Sequence, residues 1–378
     1  MTKKLHILFL CSWFPSKEFP TNGDFIQRHA KAISLLHKVS VLHIVSSKQN
    51  AKTTIEKSVE NNVTTCIGYI KHTKNPILKT IRFYKAYVQI LKLIGNYDLM
   101  HVNTLYPFGL FALHQKIIKR KQYIISEHWT GYLKSRKYSI PFYQKMCSKL
   151  IVKKATFVCP VSNELKKEMQ DLGLKGNYIP VGNVIDTALF IPSNKKNKEF
   201  TIVHVSGLNN AQKNISDMLQ VAKLLENSIP SFTWKFIGGG SEKYQKTIDQ
   251  LEFKTAKIEF HNHVSQKELA KHLQKATVCV SFSNYETFGI VSLEAIACGT
   301  YTITTNTGIL NELELQDFFS IIPVKDKNAL TKEIMAQYNN PTKLEVEKMH
   351  LFVKDLFNQD NIAEAFSKLY FKSLNRNS

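Results

Sequence analysis

The 378-residue sequence has no long hydrophobic run. Its longest, Leu5 to Phe14, is about half of the ~20 apolar residues that a membrane-crossing helix needs, so no transmembrane segment is expected. Lys3 and Lys4 precede that run, but no small-residue cleavage site follows it and Trp13, Phe14 and Pro15 close it; a first core strand fits better than a signal peptide. Cysteine is scarce. The six residues, at 11, 66, 147, 159, 279 and 298, form no C-x-x-C pair and have no histidine at zinc spacing, so structural metal and disulfides are not expected. Cysteines inside apolar runs usually act as small core residues, which suits a reducing cytoplasm. No Asp-x-Asp pair occurs anywhere, and no internal repeat or low-complexity tract is visible.

Acidic residues are also short, and unevenly so. The whole chain carries 51 Lys and Arg against 30 Asp and Glu, a formal charge of +21; residues 1–190 hold 29 against 10, or +19, and residues 191–378 hold 22 against 20, or +2. Asymmetry of this kind directs one domain toward a polyanion, either an anionic membrane or a nucleic acid.

What the sequence does have is alternation of β-branched apolar runs with helical periods, the pattern of an α/β protein whose parallel sheets are covered by helices. Strands are expected at 5–11, 39–44, 99–102, 123–126 and 156–161, then at 201–205, 233–237, 257–260, 277–282 and 301–304. Helices between them are expected near 24–36, 77–94, 108–118, 141–153 and 163–172, then near 216–225, 243–251, 266–274, 290–298 and 329–338. The polar segment 192–199 divides the chain into Rossmann-like domains at 1–190 and 191–360. A last helix within 361–378 is expected to cross back to the first domain.

The most informative stretch is Ser283-Asn284-Tyr285-Glu286-Thr287-Phe288-Gly289-Ile290, between a buried strand and a helix ending at Cys298-Gly299. Gly289 permits a tight turn into the helix, and Gly299 suits its C-terminal cap. Backbone N–H groups of Phe288, Gly289 and Ile290 would be unpaired donors at a helix N-terminus, ready for phosphate. Glu286 stands just before that site; Glu294 follows eight residues later, about two turns deeper. Two carboxylates beside an anion site suit a ligand with hydroxyls next to its phosphates, a sugar on one side and a ribose on the other. Alternatively, Glu286 is an acid favoured by the helix dipole and Glu294 an exposed helix residue.

This E-x7-E arrangement, in its setting Tyr285 to Gly299, resembles the signature of retaining glycosyltransferase family 4, with the GT-B fold of two Rossmann-like domains whose parallel sheets face a central cleft. Asn183-Val184-Ile185-Asp186 with Phe190 resembles the family's N-G-V-D, Gly238-Gly239-Gly240 its G-x-G turn, and Gly308 with Glu312 its G-G-x-x-E, with Ile309 in place of the second glycine. The resemblance implies that Glu294 binds the ribose of a nucleotide, that Glu286 contacts the donor sugar, and that Phe288, Gly289, Ile290 and Lys213 hold the diphosphate. The family's G-R-L reads Ser206-Gly207-Leu208 here, so the expected arginine is missing, and Arg28 or Arg136 is a substitute supplied from the basic domain.

In the first half, Gly23 lies where the family's glycine loop reaches the donor phosphate, and Asn22 or Asp24 could cap the helix that follows. His128 ends a predicted strand, where α/β sheets place ligands; the resemblance puts it against the transferred sugar, with Glu127 as a second candidate. Basic residues at 116–121 and 134–154, interleaved with Tyr138, Ile140, Phe142 and Tyr143, suit anionic lipid headgroups.

The expectation is therefore a retaining, metal-independent glycosyltransferase without cofactor. Its donor would be a UDP- or GDP-sugar and its acceptor a glycan or polyprenyl- or lipid-linked glycan, in surface polysaccharide or lipopolysaccharide biosynthesis. It would work in the cytoplasm, peripherally on the inner face of the membrane, with no nucleic acid as partner. The alternatives are a sugar-nucleotide epimerase or hydrolase of the same fold and a basic nucleic-acid-binding protein.

Overall fold

The computed structural model describes residues 4–50, 52–193 and 196–375; Asn194 and Lys195, inside the expected linker, lie outside the described residues. The chain forms two compact units. One comprises the residues up to Tyr132, Tyr138–Val184 and the segment from Gln359 onward; the other comprises Leu133–Lys137 and Ile185–Asn358. The division thus falls at Val184 and Ile185, ahead of the polar segment.

The first unit runs β1 (His6–Cys11), α1 (Asp24–Ser34), β2 (Lys38–Ser47), β3 (Thr54–Glu60), β4 (Val63–Lys71), α2 (Pro76–Ile94), β5 (Leu99–Asn103), α3 (Gly109–Lys119), β6 (Tyr123–Glu127), α4 (Phe142–Lys154), β7 (Phe157–Pro160) and α5 (Asn163–Asp171). Its seven strands lie in the order β3-β4-β2-β1-β5-β6-β7, all parallel except the β3–β4 pair. β5 and β6 are buried along their whole length, as β1 is beyond its first residue, because both faces of a parallel sheet are covered. The β3–β4 hairpin was not expected. β3, Thr-Ile-Glu-Lys-Ser-Val-Glu, is an exposed antiparallel edge whose charges discourage further pairing, and its polarity hides it from an apolar-run reading. Asn61 and Asn62, both at positive φ, make its turn.

The sheet order also decides what each face carries. The chain moves one way from β1 to β2 and the other way from β4 through β5 and β6 to β7. Right-handed crossovers then put α2, α3 and α4 on one face and α1 on the opposite face. Tyr87 of α2 stacks on Phe111 of α3 with centroids 4.2 Å apart, and Gly109 of α3 lets Ile151 of α4 approach so closely that a Cβ there would lie 2.7 Å from it.

The second unit runs β8 (Thr201–Val205), α6 (Asn210–Lys213), α7 (Ile215–Leu225), β9 (Phe232–Ile237), α8 (Gln245–Leu251), β10 (Ala256–His261), α9 (Gln266–Lys275), β11 (Val278–Ser281), α10 (Ile290–Ala297), β12 (Tyr301–Thr305), β13 (Phe319–Ile322), α11 (Lys327–Asn339) and α12 (Val346–Phe357). Its strands lie in the order β10-β9-β8-β11-β12-β13, and all pairs are parallel. The short β13 and helices α6 and α12 are additions to the expected elements.

The last helix, α13 (Gln359–Asn375), belongs to the first unit and packs along α1. Phe366 and Tyr370 are buried there; the Phe366 ring lies 5.5 Å from His29 and 4.8 Å from His101. Removing a buried aromatic side chain costs about 3–5 kcal/mol. Phe366→Ala is therefore expected to destabilise the first unit by that amount in urea denaturation, and an unchanged midpoint would show that α13 is dispensable to the fold.

Candidate active site

Parallel strands bring the loops that follow them to one edge of the sheet, and where the strand order reverses the loops diverge and leave a crevice. In the second unit the reversal lies between β8 and β11. The loop after β8 carries Lys213, at the end of α6, and the loop after β11 carries Glu286. Their side chains form an ion pair, largely shielded from solvent, and Ser283 Oγ donates to the same Glu286 oxygen at 2.9 Å.

The pair is held by a frame of amides. Asn284 N donates to Gln212 O at 2.7 Å, Gln212 Nε2 to Tyr285 O at 3.2 Å, and Asn284 Nδ2 to Ala211 O at 2.9 Å. Asn214, at φ 51°, donates to Phe282 O at 3.0 Å and faces Asn284. Asparagine tolerates the left-handed region better than most residues, so the amide-rich run Asn209-Asn210-Ala211-Gln212-Lys213-Asn214 is the sequence feature that marks this frame.

Gly289 caps α10 at φ 85°, and a Cβ there would meet open space. The positive φ calls for glycine, and the first-turn amides of α10, which its own ladder cannot pair, open at this edge. Glu294 is 1% exposed, which excludes the reading of an exposed helix residue. Its charge helps to hold the thiols of Cys279 and Cys298 up at about 12, after burial as the main cause. Phe288 is buried against Phe357, and its carbonyl accepts from Ile309 N at 2.8 Å. Ile309 is not at positive φ, so its position needs no glycine. The glycine requirement falls on Gly308, at φ 74°, where a Cβ would lie 2.7 Å from Phe288 O and 3.1 Å from Glu286 Cβ.

The position of the missing arginine is open. A Cβ at Gly207 would meet open space, while Leu208 is fixed by Ser206 Oγ and by the Tyr244 hydroxyl, at 3.0 and 2.6 Å. His204 hydrogen-bonds that Ser206 hydroxyl at 2.8 Å. Gly238 is obligatory, since a Cβ there would lie 1.7 Å from Ser206 O. Among the described residues, no group of three or more His, Cys, Asp or Glu is arranged to hold a metal ion.

In the first unit the reversal lies between β1 and β5. Gly23, at φ 77°, caps α1 without help from the side chain of Asn22 or Asp24, contrary to expectation; a Cβ there would strike the Trp13 and Phe14 backbone at 2.7–2.9 Å. Asp24 instead pairs with Arg28 at 3.3 Å, which engages the arginine proposed as a substitute. Arg136 belongs to the second unit.

His128 follows β6 and is buried against α1, with ring centroids 4.7 Å from Phe25 and 5.5 Å from His29. The structure thus brings His128 beside the first turns of the helix that Gly23 opens. Glu127 has a different task. Its buried carboxylate accepts from the backbone N–H of His128 and Trp129 on one oxygen and of Leu105 on the other, each at 2.8 Å. It ties the loop after β5 to the loop after β6 and so fixes the backbone that carries His128.

Burial keeps these histidines neutral. His128 and His101 are pushed well below the ordinary imidazole range by desolvation and by neighbouring histidines; Asn183 opposes this at His128. Desolvation holds His29 at about 4 and His204 at about 3, with the charge of Lys213 adding to the effect at His204. In the unfolded chain each titrates near 6.5, so between that pH and the folded value the unfolded state binds more protons. Stability is then fully present above about pH 6.5 and is lost as pH falls toward 4, by about 3 kcal/mol for His29 alone. Glu127, raised by desolvation, opposes the trend in part. Urea midpoints are expected to drop steadily from pH 7 to pH 5, and a flat profile would contradict the burial assignment.

Similarity to known proteins bears on this arrangement. Residues 24–189 match the family described as Glycosyltransferase Family 4, and residues 185–355 match Glycosyl transferases group 1. An uncharacterized glycosyltransferase of Methanocaldococcus jannaschii is 24% identical over 305 residues, 75% of this chain and 81% of its own length. Sucrose-phosphate synthase from Thermosynechococcus elongatus superposes with a TM-score of 0.79 at 19% identity, covering 98% of this chain and 99% of that one. Anabaena HepE in complex with UDP gives 0.76 at 15% identity, covering 97% and 100%. The two family matches together span residues 24–355, and the chain belongs to the glycosyltransferases of the group 1 and family 4 type, with the GT-B fold.

Proposed function

We propose that this chain transfers a hexose-type unit from a UDP- or GDP-sugar to a glycan or lipid-linked glycan, with retention at the anomeric carbon and without a metal, in surface polysaccharide or lipopolysaccharide assembly. The observation that carries the reading is the Lys213–Glu286 pair at the β8–β11 crevice, beside the open N-terminus of α10. A nucleoside diphosphate would take Lys213 and the first-turn amides, replacing one carboxylate partner by another anion. Glu286, released, would accept hydrogen bonds from donor sugar hydroxyls, while Glu294 receives those of the ribose. Because the leaving diphosphate gains charge during transfer, Lys213 and the helix terminus act most strongly in the transition state. His128, neutral, would orient the sugar as a hydrogen-bond partner, and Gly23 would allow backbone approach to the phosphate. Anabaena HepE, which shares the fold, was solved with UDP and with UDP-glucose, which supports a nucleotide-sugar donor.

The partner surface is the face of α2, α3 and α4. Between His72 and Asn163, leaving out Leu133–Lys137 of the second unit, the sequence holds 13 Lys and Arg and two acids, Asp98 and Glu127. Phe142 is 80% exposed and Ile117 69%, with Tyr143 and Met146 exposed as well. Cationic helices with exposed apolar side chains suit an anionic bilayer surface. No helix of the described residues is long and apolar enough to cross a membrane.

Calorimetric titration with UDP, GDP, ADP and their sugars, in EDTA and then with magnesium, tests the reading. Binding selective for one base and unaffected by EDTA is expected. Glu294→Ala is expected to weaken it on the order of tenfold or more, Glu286→Ala to spare nucleotide affinity but depress transfer, and Lys213→Gln to erase any preference for UDP over UMP. Absence of nucleotide binding by the folded protein would refute the reading, and equal loss of affinity in both glutamate variants would refute the division of roles.

A further inference from the structure

We infer that the groove between α2 and α3 binds a single anionic lipid, its phosphate between Lys92 and Lys119 and its apolar part along Tyr84, Val88 and Leu91. The inference rests on the reading that this face meets an anionic membrane, and it names a discrete site within it.

The groove has a volume of about 380 Å³ and opens between the C-terminal halves of the two helices. These ends lead into the first residues of β5 and β6, so the groove lies at the opposite edge of the sheet from Glu127 and His128. Its walls divide by chemistry. Tyr84, Val88 and Leu91 offer aromatic and aliphatic surface on α2, whereas Lys92 and Lys119, both exposed, stand at the rim. No carboxylate lines it. The two acids of the surrounding sequence are engaged elsewhere: Asp98 accepts from His6 N at 2.7 Å, and Glu127 holds the three amides described above. An anion placed here meets two cations and no opposing charge.

Tyr87 forms the floor of the groove. Its hydroxyl lies beneath the surface beside Gln115, whose Oε1 accepts from Tyr97 at 3.3 Å. Outside the groove, Leu93, Ile117 and Ile118 are exposed next to the rim lysines, so an occupant with acyl chains would continue onto apolar surface. Free phosphate would use the lysines but not the wall.

The test uses the full chain and dioctanoyl phosphatidylglycerol below its micellar concentration, compared by native mass spectrometry with dioctanoyl phosphatidylcholine and inorganic phosphate. One equivalent of the anionic lipid is expected to bind, with the zwitterionic lipid and phosphate at least about tenfold weaker. Lys92→Glu and Lys119→Glu, at exposed positions, should each weaken it on the order of tenfold. Val88→Trp, which fills the groove, should abolish it, whereas Leu315→Ser, exposed in the second unit, should leave it unchanged. In parallel, co-sedimentation with phosphatidylcholine vesicles, with and without phosphatidylglycerol, reads adhesion of the whole face. Vesicle binding without saturable lipid binding, or lipid binding indifferent to Val88→Trp, overturns the groove site and leaves the membrane reading standing. Loss of both, with a short oligodeoxynucleotide bound instead, overturns the two together. Phosphate binding as tight as the lipid would make this an anion site without lipid selectivity and overturn the inference.

Discussion

Parallel pairing is the constraint from which the rest of this molecule follows. A parallel strand cannot be reached by a tight turn, so each pair needs a crossover helix, and each crossover delivers its loop to the same edge of the sheet. At the β8–β11 reversal two such loops meet with a lysine on one and a glutamate on the other. The pair would be a poor stabiliser in isolation, because partly buried charges lose hydration about as fast as they gain attraction. It is tolerable because Ser283 and the amides of Gln212, Asn214 and Asn284 satisfy the surrounding polar groups. The arrangement keeps the lysine neutralised by a neighbouring carboxylate.

The first unit handles buried polarity differently. Its ligand edge holds neutral imidazoles and one carboxylate committed to backbone amides. His101 bridges Tyr370 of α13 and Ser126 of β6, at 2.7 and 2.6 Å, so the end of the chain helps to fix the strand that leads to His128. Glu127 fixes the loop from the other side. Neither residue needs to touch a substrate to matter; both limit how far His128 can move. The same burial makes this unit sensitive to acid.

Charge is distributed with equal economy. The acid-poor stretch between His72 and Asn163 supplies the three helices of one sheet face, and its two acids are both turned to backbone amides. A face with only one sign of charge repels itself, and exposed Phe142, Tyr143 and Ile117 add apolar surface that water disfavours. Both features are liabilities in a protein that meets only solvent; under the proposed function both would become contacts at an anionic, partly apolar surface.

The sequence by itself determined the alternation of strands and helices, the glycine that opens α10, the spacing of Glu286 and Glu294, and the excess of positive charge in the first half. All of these are local or compositional properties, set by side chains within a few turns of one another. It did not reveal the β3–β4 hairpin, whose charged edge strand lacks an apolar run. Only the tertiary structure paired Lys213 with Glu286 across 73 residues, turned Glu127 from a candidate sugar contact into a backbone clamp, and left a groove of about 380 Å³ between α2 and α3. Those outcomes depend on strand order and crossover hand, which fix neighbours far apart in the chain and leave no mark on local periodicity.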